Sequence, residues 1–276
     1  MKNLWVRTLS GICFLGVVLA SLLVSPWLFG AFQLFVLVTM LLEFYRMTMG
    51  THYPLSRGFA ILAGVTLFAL VFLVAMFPDR LSIKILGVAM LPLLGVMVGS
   101  LYTQDKTDFG LFSNLYTGLL YLAVPVALSN LIVFKGGAFD GSLMLSFFIL
   151  IWASDVGAYS FGMLLGRNGK KLFPSISPKK SWAGFWGGMV MAVAAALILQ
   201  ATPLLPIPWY LSIPLAIVMH IAGVWGDLFE SQWKRVCEVK DSGSIIPGHG
   251  GMMDRFDSAI FAMPVGTIYL LSFGLL

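Results

Sequence analysis

Acidic residues inside long apolar segments are the first sign of chemistry in this sequence. Asp155 lies near the middle of the apolar segment 142–165, and Asp227 lies near the end of the segment 209–229. A carboxylate within a membrane-spanning helix costs about 2.5–3.5 kcal/mol on insertion scales, so each of these residues needs a compensating partner. No apolar segment supplies a basic side chain at that depth. A bound cation is therefore the favoured interpretation, and pairing with a buried Lys or Arg is the alternative.

Two further groups of polar residues have helical spacing. One helix face would carry four residues spaced i, i+3, i+4 and i+7, namely Asp227, Glu230, Ser231 and Lys234. Glu230 and Lys234 could instead form a simple i,i+4 ion pair. Asp254 and Asp257 are spaced i,i+3 and would share a face if the last helix begins near Met252. Helix capping is the alternative for these two carboxylates.

The polar loops between the apolar segments are suited to anions. The loop "GRNGKKLFPSISPKKSW" at 166–182 is basic without a single acid, and "PGHGG" at 247–251 lets backbone N–H groups approach an anion closely. His249 lies between those glycines and is a candidate to contact phosphate, although a lone loop histidine is more often incidental. Six basic residues could neutralise phosphates: Lys179, Lys180, Lys234, Arg235, Lys240 and Arg255.

The ligand types favour one class of metal. Hard oxygen ligands without a His/Cys cluster suit Mg2+ better than Zn2+, and Mg2+ held by a few carboxylates typically also binds substrate phosphates. The residues alone therefore indicate a metal-dependent enzyme that acts on phosphates at a membrane surface.

The stretch 231–257, "SQWKRVCEVKDSGSIIPGHGGMMDRFD", closely resembles the signature of the phosphatidate cytidylyltransferases, also called CDP-diacylglycerol synthases. "SDVGAYSFGMLLGRNGKKLFPSISPKKSWAGFWGG" at 154–188 looks like the family's second block, and "GDLFES" at 226–231 is similar to its third. Trp233 departs from the aliphatic or Phe residue expected at its position. Residues 1–135 carry nothing specific to the family.

The resemblance implies an activity and a set of roles. A family member joins CTP and phosphatidate into CDP-diacylglycerol and releases pyrophosphate, a step of phospholipid biosynthesis. By resemblance, Asp227 and Asp254 ligate Mg2+, and Asp155 completes an acidic centre that holds a second cation, K+ or another Mg2+. The resemblance implies catalytic roles for Lys234, Arg235, Lys240, Asp241, His249, Arg255 and Asp257. It implies that the substrate phosphates are bound by Ser177, Lys179, Lys180 and Ser231. The family also implies a homodimer.

Membrane-spanning helices must position these residues. The 276-residue chain is 59% hydrophobic and 11% charged, whereas a soluble domain carries roughly one quarter charged residues. Nine apolar segments are each long enough to cross a ~30 Å hydrocarbon core as a helix: 9–25, 27–45, 58–77, 83–102, 110–134, 142–165, 183–202, 209–229 and 257–275. We therefore predict an all-α, polytopic integral membrane protein with about nine transmembrane helices. About five belong to an N-terminal region, 1–135, and the rest to a catalytic region, 136–276.

Lys and Arg residues predict the orientation in the cell membrane. Fourteen of the 17 fall in the N-terminal segment and in every second loop, which the positive-inside rule places in the cytoplasm. The N-terminus is then cytoplasmic, the C-terminus is outside, and the polar loops 166–182 and 230–256 face the cytoplasm. Orientation and lipid headgroups explain the net charge of +5, so no nucleic-acid partner is expected. The expected partners are CTP, phosphatidate and membrane lipid.

Three other functions are open to a sequence of this kind. A CTP-dependent lipid or polyprenol kinase would transfer the γ-phosphate instead of the nucleotide. A CDP-alcohol phosphotransferase would also be an intramembrane, Mg2+-dependent enzyme, but its Asp-Gly-x-x-Ala-Arg pattern is missing. A secondary transporter would use Asp155 and Asp227 as coupling-ion sites, yet no repeat relates the two halves of the chain. Cys13 and Cys237 have neither metal nor redox spacing and are expected to be inert.

Overall fold

The computed structural model describes residues 2–103, 109–167 and 169–276. These residues form two compact units, the first from 1–140 with 237–255 and the second from 141–236 with 256–276. The α-helices of the described residues, in chain order, are α1 Lys2–Leu23, α2 Pro26–Met49, α3 Pro54–Met76, α4 Met90–Leu101, α5 Ser113–Gly118, α6 Val124–Leu128, α7 Asn130–Val133, α8 Ser142–Leu165, α9 Trp182–Leu199, α10 Trp209–Val236 and α11 Met253–Ser272. The strands of these residues form two antiparallel hairpins: β1 Phe134–Lys135 with β2 Ala138–Phe139, and β3 Lys171–Phe173 with β4 Ser177–Ser181.

Seven helical segments of the described residues are long and apolar enough to cross a membrane: Pro26–Met49, Pro54–Met76, Ile83–Leu101, Phe109–Val133, Ser142–Leu165, Trp182–Leu199 and Trp209–Val236. The prediction of a helical, polytopic membrane protein is thereby confirmed. The set does not include α1, whose apolar part Arg7–Leu23 is shorter, or α11, which carries charged residues in its first turns. The total of nine spans stays a prediction, and so does the orientation. Lys106, one of the residues counted for orientation, lies outside the described residues.

In the first unit, prolines and glycines determine where elements start and turn. Pro26 is the first residue of α2, where its missing N–H group leaves no bond unmade, and the Ser25 hydroxyl accepts a hydrogen bond from Leu28 N–H at 3.1 Å. The turn between β1 and β2 consists of Gly136 and Gly137, with φ of 57° and 84°. Two consecutive residues with positive φ are what a tight two-residue hairpin turn requires, and glycine adopts them without strain.

The predicted apolar segment 110–134 is not one regular helix. It consists of a 3₁₀ turn at Phe109–Phe112, then α5, a π-helical turn at Leu119–Ala123, α6 and α7. Pro125 lies within α6 and has no N–H group to donate to the carbonyl four residues earlier, so regular helical bonding cannot pass through it.

In the second unit, the basic segment 166–182, which was predicted as a polar loop, contains a β-hairpin. Lys171 pairs with Ser181 and Phe173 pairs with Ser177, which places the predicted Ser-Pro-Lys-Lys element on β4. Ser181 then ends the strand and starts α9, because its hydroxyl accepts a hydrogen bond from Gly184 N–H at 3.1 Å. Strand β4 therefore connects directly to a membrane helix. Within this segment, Asn168 lies outside the described residues.

Small residues allow α8 and α9 to pack closely. A Cβ atom added to Gly184 would lie 2.8 Å from the carbonyl oxygen of Ala158, and one added to Gly188 would lie 2.9 Å from that of Ser154. Close backbone approach at small residues is the usual way in which membrane helices pack, since lipid provides no hydrophobic drive for their association. The packing fixes the face of α8 that carries Ser154 relative to α9.

The polar loop between α10 and α11 is shorter in the structure than the predicted range 230–256. α10 continues to Val236 and α11 begins at Met253, next to the predicted start near Met252. Lys234 and Arg235 lie in the last turn of α10, where positive charge interacts favourably with the helix dipole. The segment that remains between these helices, residues 237–252, is called the signature loop below.

Candidate active site

The predicted site residues divide between the two units. The second unit contains Asp155, Ser177, Lys179, Lys180, Asp227, Ser231, Lys234, Arg235 and Asp257. The first unit contains Lys240, Asp241, His249, Asp254 and Arg255. Each unit therefore presents its own set of charged groups, one around α10 and the other around the signature loop.

In the second unit, Asp227 of α10 bonds to two of the predicted residues. Its Oδ2 forms an ion pair with Lys180 Nζ from β4, and both side chains are partly exposed. Its Oδ1 accepts a hydrogen bond from Ser231 Oγ at 3.3 Å, one helical turn further along. The predicted shared face of Asp227 and Ser231 is thus present. Pairing with a basic residue, the less favoured alternative for Asp227, also occurs, because the β-hairpin supplies a lysine that the apolar segments themselves lack.

Asp155 of α8 and Asp257 of α11 belong to the same charged group. Asp155, Asp227 and Asp257 lie within electrostatic range of one another and of Lys180. Three carboxylates thus interact with one ammonium group. Like charges at short range repel, and the excess of negative charge is what a bound cation would offset. We call Asp155, Asp227, Asp257 and Lys180 the acidic cluster.

The donor set of the acidic cluster suits a hard divalent cation, but it is not a closed metal cage. Among the described residues, no group of three or more His, Cys, Asp or Glu side chains is arranged closely enough to hold a metal by itself. Mg2+ usually keeps several waters and binds through one or two carboxylates together with substrate phosphates. An open, negatively charged group such as the acidic cluster therefore fits Mg2+ in the presence of a phosphate substrate.

Glu230 and Lys234 form a buried i,i+4 ion pair on α10, with Nζ and Oε1 2.9 Å apart. Glu230 is fully buried and the Lys234 side chain is 12% exposed, so Lys234 is the least accessible of the basic residues predicted to meet phosphate. The next residue, Arg235, is exposed, and its Nε donates to the carbonyl oxygen of Ile176 in the turn of the hairpin at 3.4 Å. This bond ties the end of α10 to the hairpin that carries Lys180.

In the hairpin itself, neighbouring residues of β4 differ in exposure. Lys179 is exposed, whereas Lys180 and Ser177 are half-buried. Successive side chains of a strand point to opposite faces, so Lys179 and Lys180 are directed to different sides of the hairpin. Lys179 remains a candidate phosphate contact, but it does not take part in the Asp227 ion pair.

In the first unit, Asp254 is buried and its Oδ2 accepts three hydrogen bonds. The donors are the backbone N–H of Ser242 at 2.9 Å, the Ser242 hydroxyl at 3.1 Å and the backbone N–H of Gly251 at 2.8 Å. This oxygen thus holds the two ends of the signature loop together. Asp254 lies in the first turn of α11, so the predicted start of this helix and the capping alternative are both consistent with its position.

Glu43 of α2 is a site residue that the sequence analysis missed. Its carboxylate accepts hydrogen bonds from Met252 N–H and Met253 N–H, each at 2.9 Å, and from the Ser242 hydroxyl at 3.1 Å. A signal for it existed in the sequence, because Glu43 is an acid within the apolar segment 27–45. The insertion cost that drew attention to Asp155 applies to Glu43 as well.

The other predicted residues of the signature loop have different surroundings. His249 Nδ1 lies 3.1 Å from Ser10 Oγ of α1, and the same hydroxyl donates to the carbonyl oxygen of Pro247 at 2.9 Å. Lys240, Asp241 and Arg255 are exposed. Cys237 is a free thiol whose pKa is raised by burial, which keeps it in the unreactive protonated form.

A second histidine, His220 of α10, lies beside the acidic cluster within the second unit. Its Nδ1 is 2.7 Å from Ser154 Oγ. Ser154, Asp155 and His220 line a small pocket together with Gly223 and Ser258. No role was predicted from the sequence for Ser154 or His220.

Comparisons with known proteins agree with the resemblance noted above. A family model described as the cytidylyltransferase family matches residues 5–273. A protein named phosphatidate cytidylyltransferase from Bacillus subtilis is 37% identical over 186 residues, which are 67% of this chain and 66% of that protein. Proteins of the same name from Staphylococcus epidermidis and Staphylococcus aureus are 44% and 40% identical over 124 residues, 45% of this chain and 47% of each relative. The chain therefore spans less than two thirds of the length of these relatives.

Proposed function

This chain belongs to the cytidylyltransferase family, and on that basis we propose that it converts CTP and phosphatidate into CDP-diacylglycerol and pyrophosphate. In this reaction a phosphate oxygen of phosphatidate attacks the α-phosphorus of CTP. The new P–O bond forms as the bond between the α-phosphorus and the oxygen bridging to the β-phosphate breaks, and pyrophosphate leaves. The reaction needs no strong base, because the attacking phosphate is already ionised at neutral pH.

The acidic cluster is the observation that carries the proposal. Two polyanions must meet during the reaction, so most of the barrier is electrostatic and positional. A group of three carboxylates with one lysine is suited to Mg2+, which would supply Lewis-acid neutralisation of the nucleotide phosphates. Asp155 and Asp227 would hold it. Asp254, the other predicted Mg2+ ligand, belongs to the first unit, where its Oδ2 accepts three hydrogen bonds.

Basic residues complete the proposed site. Lys180 compensates the charge of Asp227, and we propose that phosphate oxygens of the substrates compete for its ammonium group. Ser231 orients the Asp227 carboxylate, and Arg235 fixes the hairpin to α10. The exposed residues Lys179, Lys240 and Arg255 are proposed to neutralise the triphosphate and the lipid phosphate, with Ser177, Asp241, His249 and Asp257 in supporting roles. Lys234 remains a candidate, but Glu230 already compensates its charge.

The membrane setting explains how two such different substrates could meet. We propose that the N-terminus and the loops around 166–182 and 230–256 face the cytoplasm, as the distribution of Lys and Arg suggests. CTP would then enter from the aqueous side while the acyl chains of phosphatidate stay in the bilayer. A homodimer in the cell membrane and a second cation, K+ or another Mg2+, are also part of this proposal.

One assay tests the proposed function directly. Purified protein in detergent is incubated with phosphatidate, Mg2+ and CTP labelled in either the α- or the γ-phosphate. We expect the α-label in a lipid product and the γ-label in pyrophosphate. Appearance of the γ-label in the lipid would instead identify a CTP-dependent lipid kinase, and the absence of any labelled lipid would contradict both enzymes.

A further inference from the structure

One side chain of the N-terminal region bonds to both ends of the signature loop. Glu43 accepts a hydrogen bond from Ser242 near the beginning of the loop and from the N–H groups of Met252 and Met253 at its end. We propose that Glu43 is a positioning residue, which holds the signature loop and the start of α11 in the geometry needed for catalysis. The catalytic part of this inference rests on the proposed function, whereas the structural part does not.

The position calls for a negatively charged side chain of this length. Met252 and Met253 stand at the beginning of α11, where the first backbone N–H groups have no partner within the helix. A carboxylate can accept all the hydrogen bonds observed, and it interacts favourably with the positive end of the helix dipole. These donors offset the cost of burying the charge of Glu43, whose side chain is almost inaccessible. A glutamine would turn an NH2 group towards one of these N–H donors.

The Glu43 carboxylate also lies close to two glycines of the signature. A Cβ atom added to Gly251 would lie 2.6 Å from Glu43 Oε2, and one added to Gly243 would collide with Glu43 Oε1 and lie 2.8 Å from its Cδ. Both distances are shorter than real side chains tolerate. At Gly243 the three nearest atoms all belong to Glu43, so the α2 side chain accounts for this glycine; at Gly251 the Ser242 hydroxyl and the backbone N of Gly243 occupy the same space as well.

Glu43 and Asp254 are linked through a single hydroxyl group. Ser242 Oγ lies 3.1 Å from Glu43 Oε2 and 3.1 Å from Asp254 Oδ2, yet a serine hydroxyl has only one hydrogen to donate. The two carboxylates share this donor, so a change at Glu43 alters the bonds that set the orientation of Asp254. Through this network a residue of α2 influences the predicted site residues at the start of α11 without itself touching a substrate.

The test compares Glu43→Gln with Gln33→Leu as a matched control. Gln33 is another buried polar residue of α2, but it donates to Ser129 Oγ at 3.1 Å and, among the described residues, makes no bond to the signature loop. In Glu43→Gln we expect amide hydrogen exchange of Met252 and Met253 to accelerate about tenfold or more and kcat to fall about tenfold with a smaller change in the KM for CTP. Gln33→Leu should change neither, even if it lowers Tm by a similar amount.

Several results would decide against the inference. Unchanged exchange at Met252 and Met253 in Glu43→Gln overturns it, and so does a loss of kcat that Gln33→Leu reproduces at equal Tm. Wild-type protein that lacks transferase activity but shows faster exchange in Glu43→Gln would contradict the proposed function and leave the structural part standing. If Glu43→Gln does not fold, Glu43→Asp retains the charge and should show smaller changes in the same direction, since it is one methylene shorter.

A double-mutant cycle tests the role of the glycine independently. Gly243→Ala should lower Tm by about 3 °C in the wild-type protein, because the new methyl group collides with the Glu43 carboxylate. In a Glu43→Ala background that space is empty, so the same substitution should lower Tm by less than half as much. Equal effects of Gly243→Ala in the two backgrounds would show that Glu43 does not impose the glycine.

Discussion

The two units hold their carboxylates in opposite electrostatic situations. In the first unit, Glu43 and Asp254 are buried, and their oxygens accept hydrogen bonds from backbone N–H groups and from Ser242. In the second unit, the acidic cluster places three carboxylates within range of one lysine, and its members are partly accessible. The first pair is compensated by the fold itself, whereas the acidic cluster is not.

This difference separates a structural role from a ligand-binding role. Carboxylates that accept several N–H bonds stabilise the backbone that supplies those bonds. Carboxylates that repel one another cost stability, and such a cost persists in proteins mainly where function requires it. We therefore expect substitutions in the acidic cluster to reduce activity more than stability. Where backbone donors bind the carboxylate, as at Glu43, we expect a substitution to loosen the backbone and to lower stability as well as activity.

The largest effect is expected for Asp227→Asn. This substitution removes a carboxylate that interacts with Lys180, Ser231 and the other acids of the cluster. We expect kcat/KM to fall about 100-fold or more, the size seen when one group that stabilises transition-state charge is removed. Tm should change little, because the lost ion pair with Lys180 is offset by relief of repulsion among the acids. Initial rates over a Mg2+ titration, together with thermal unfolding, measure both quantities.

Asp79→Asn is the control for this experiment. Asp79 is an exposed acid outside both groups of carboxylates, so its substitution should leave rate and Tm unchanged. Wild-type rates and Mg2+ dependence in Asp227→Asn would show that the acidic cluster does not bind the cation. A large fall in Tm would place Asp227 with the structural carboxylates instead.

A smaller effect is expected from the lysines of β4, which are neighbours in sequence but differ in contacts. Lys180 pairs with Asp227, whereas Lys179 is exposed on the other side of the strand. Lys180→Ala should lower kcat/KM about tenfold or more, as for the loss of a hydrogen bond to a charged group. Lys179→Ala should cost about threefold or less, as is usual for exposed charges. If the two variants lower kcat/KM equally, the ion pair between Lys180 and Asp227 contributes no more to activity than an exposed lysine does.

The sequence alone was sufficient to predict a helical membrane protein and several local features of its helices. Apolar segments of about 20 residues predict helices because a helix satisfies its own backbone bonds in lipid, and seven such helices are present. The helical spacing placed Asp227 and Ser231 on one face and offered the Glu230–Lys234 ion pair as an alternative, and both pairs are in contact in the structure. The basic segment 166–182 was not recognised as a hairpin. Its strands have only three and five residues, and β4 is polar, so neither shows the alternating apolar pattern by which strands are detected.

Contacts between distant parts of the chain could not be derived in the same way. The ion pair between Lys180 and Asp227 depends on how the hairpin folds back towards α10, and no spacing rule encodes that distance. Glu43 is separated from Met252 by 209 positions, so their bond follows from tertiary packing alone. The cost of a buried carboxylate could have marked Glu43 as a residue in need of partners. It could not have shown that the partners are the backbone N–H groups of the signature loop.

The smallest effect on activity is expected when Glu230→Met and Lys234→Met are combined. This ion pair neutralises itself, so it resembles neither the acidic cluster nor the carboxylates bound by backbone donors. Lys234→Met alone leaves the fully buried Glu230 without its ammonium partner and should cost about 3–5 kcal/mol of stability, whereas the double variant should stay within about 1 kcal/mol of wild type. Denaturant unfolding and initial rates of the two single variants and the double variant measure these changes in stability and activity.

If the double variant keeps wild-type stability but loses activity, the charge of Lys234 acts on the substrate, and the pair belongs with the catalytic groups of the second unit. Retained activity would mean that burial beside Glu230 has withdrawn Lys234 from the phosphates.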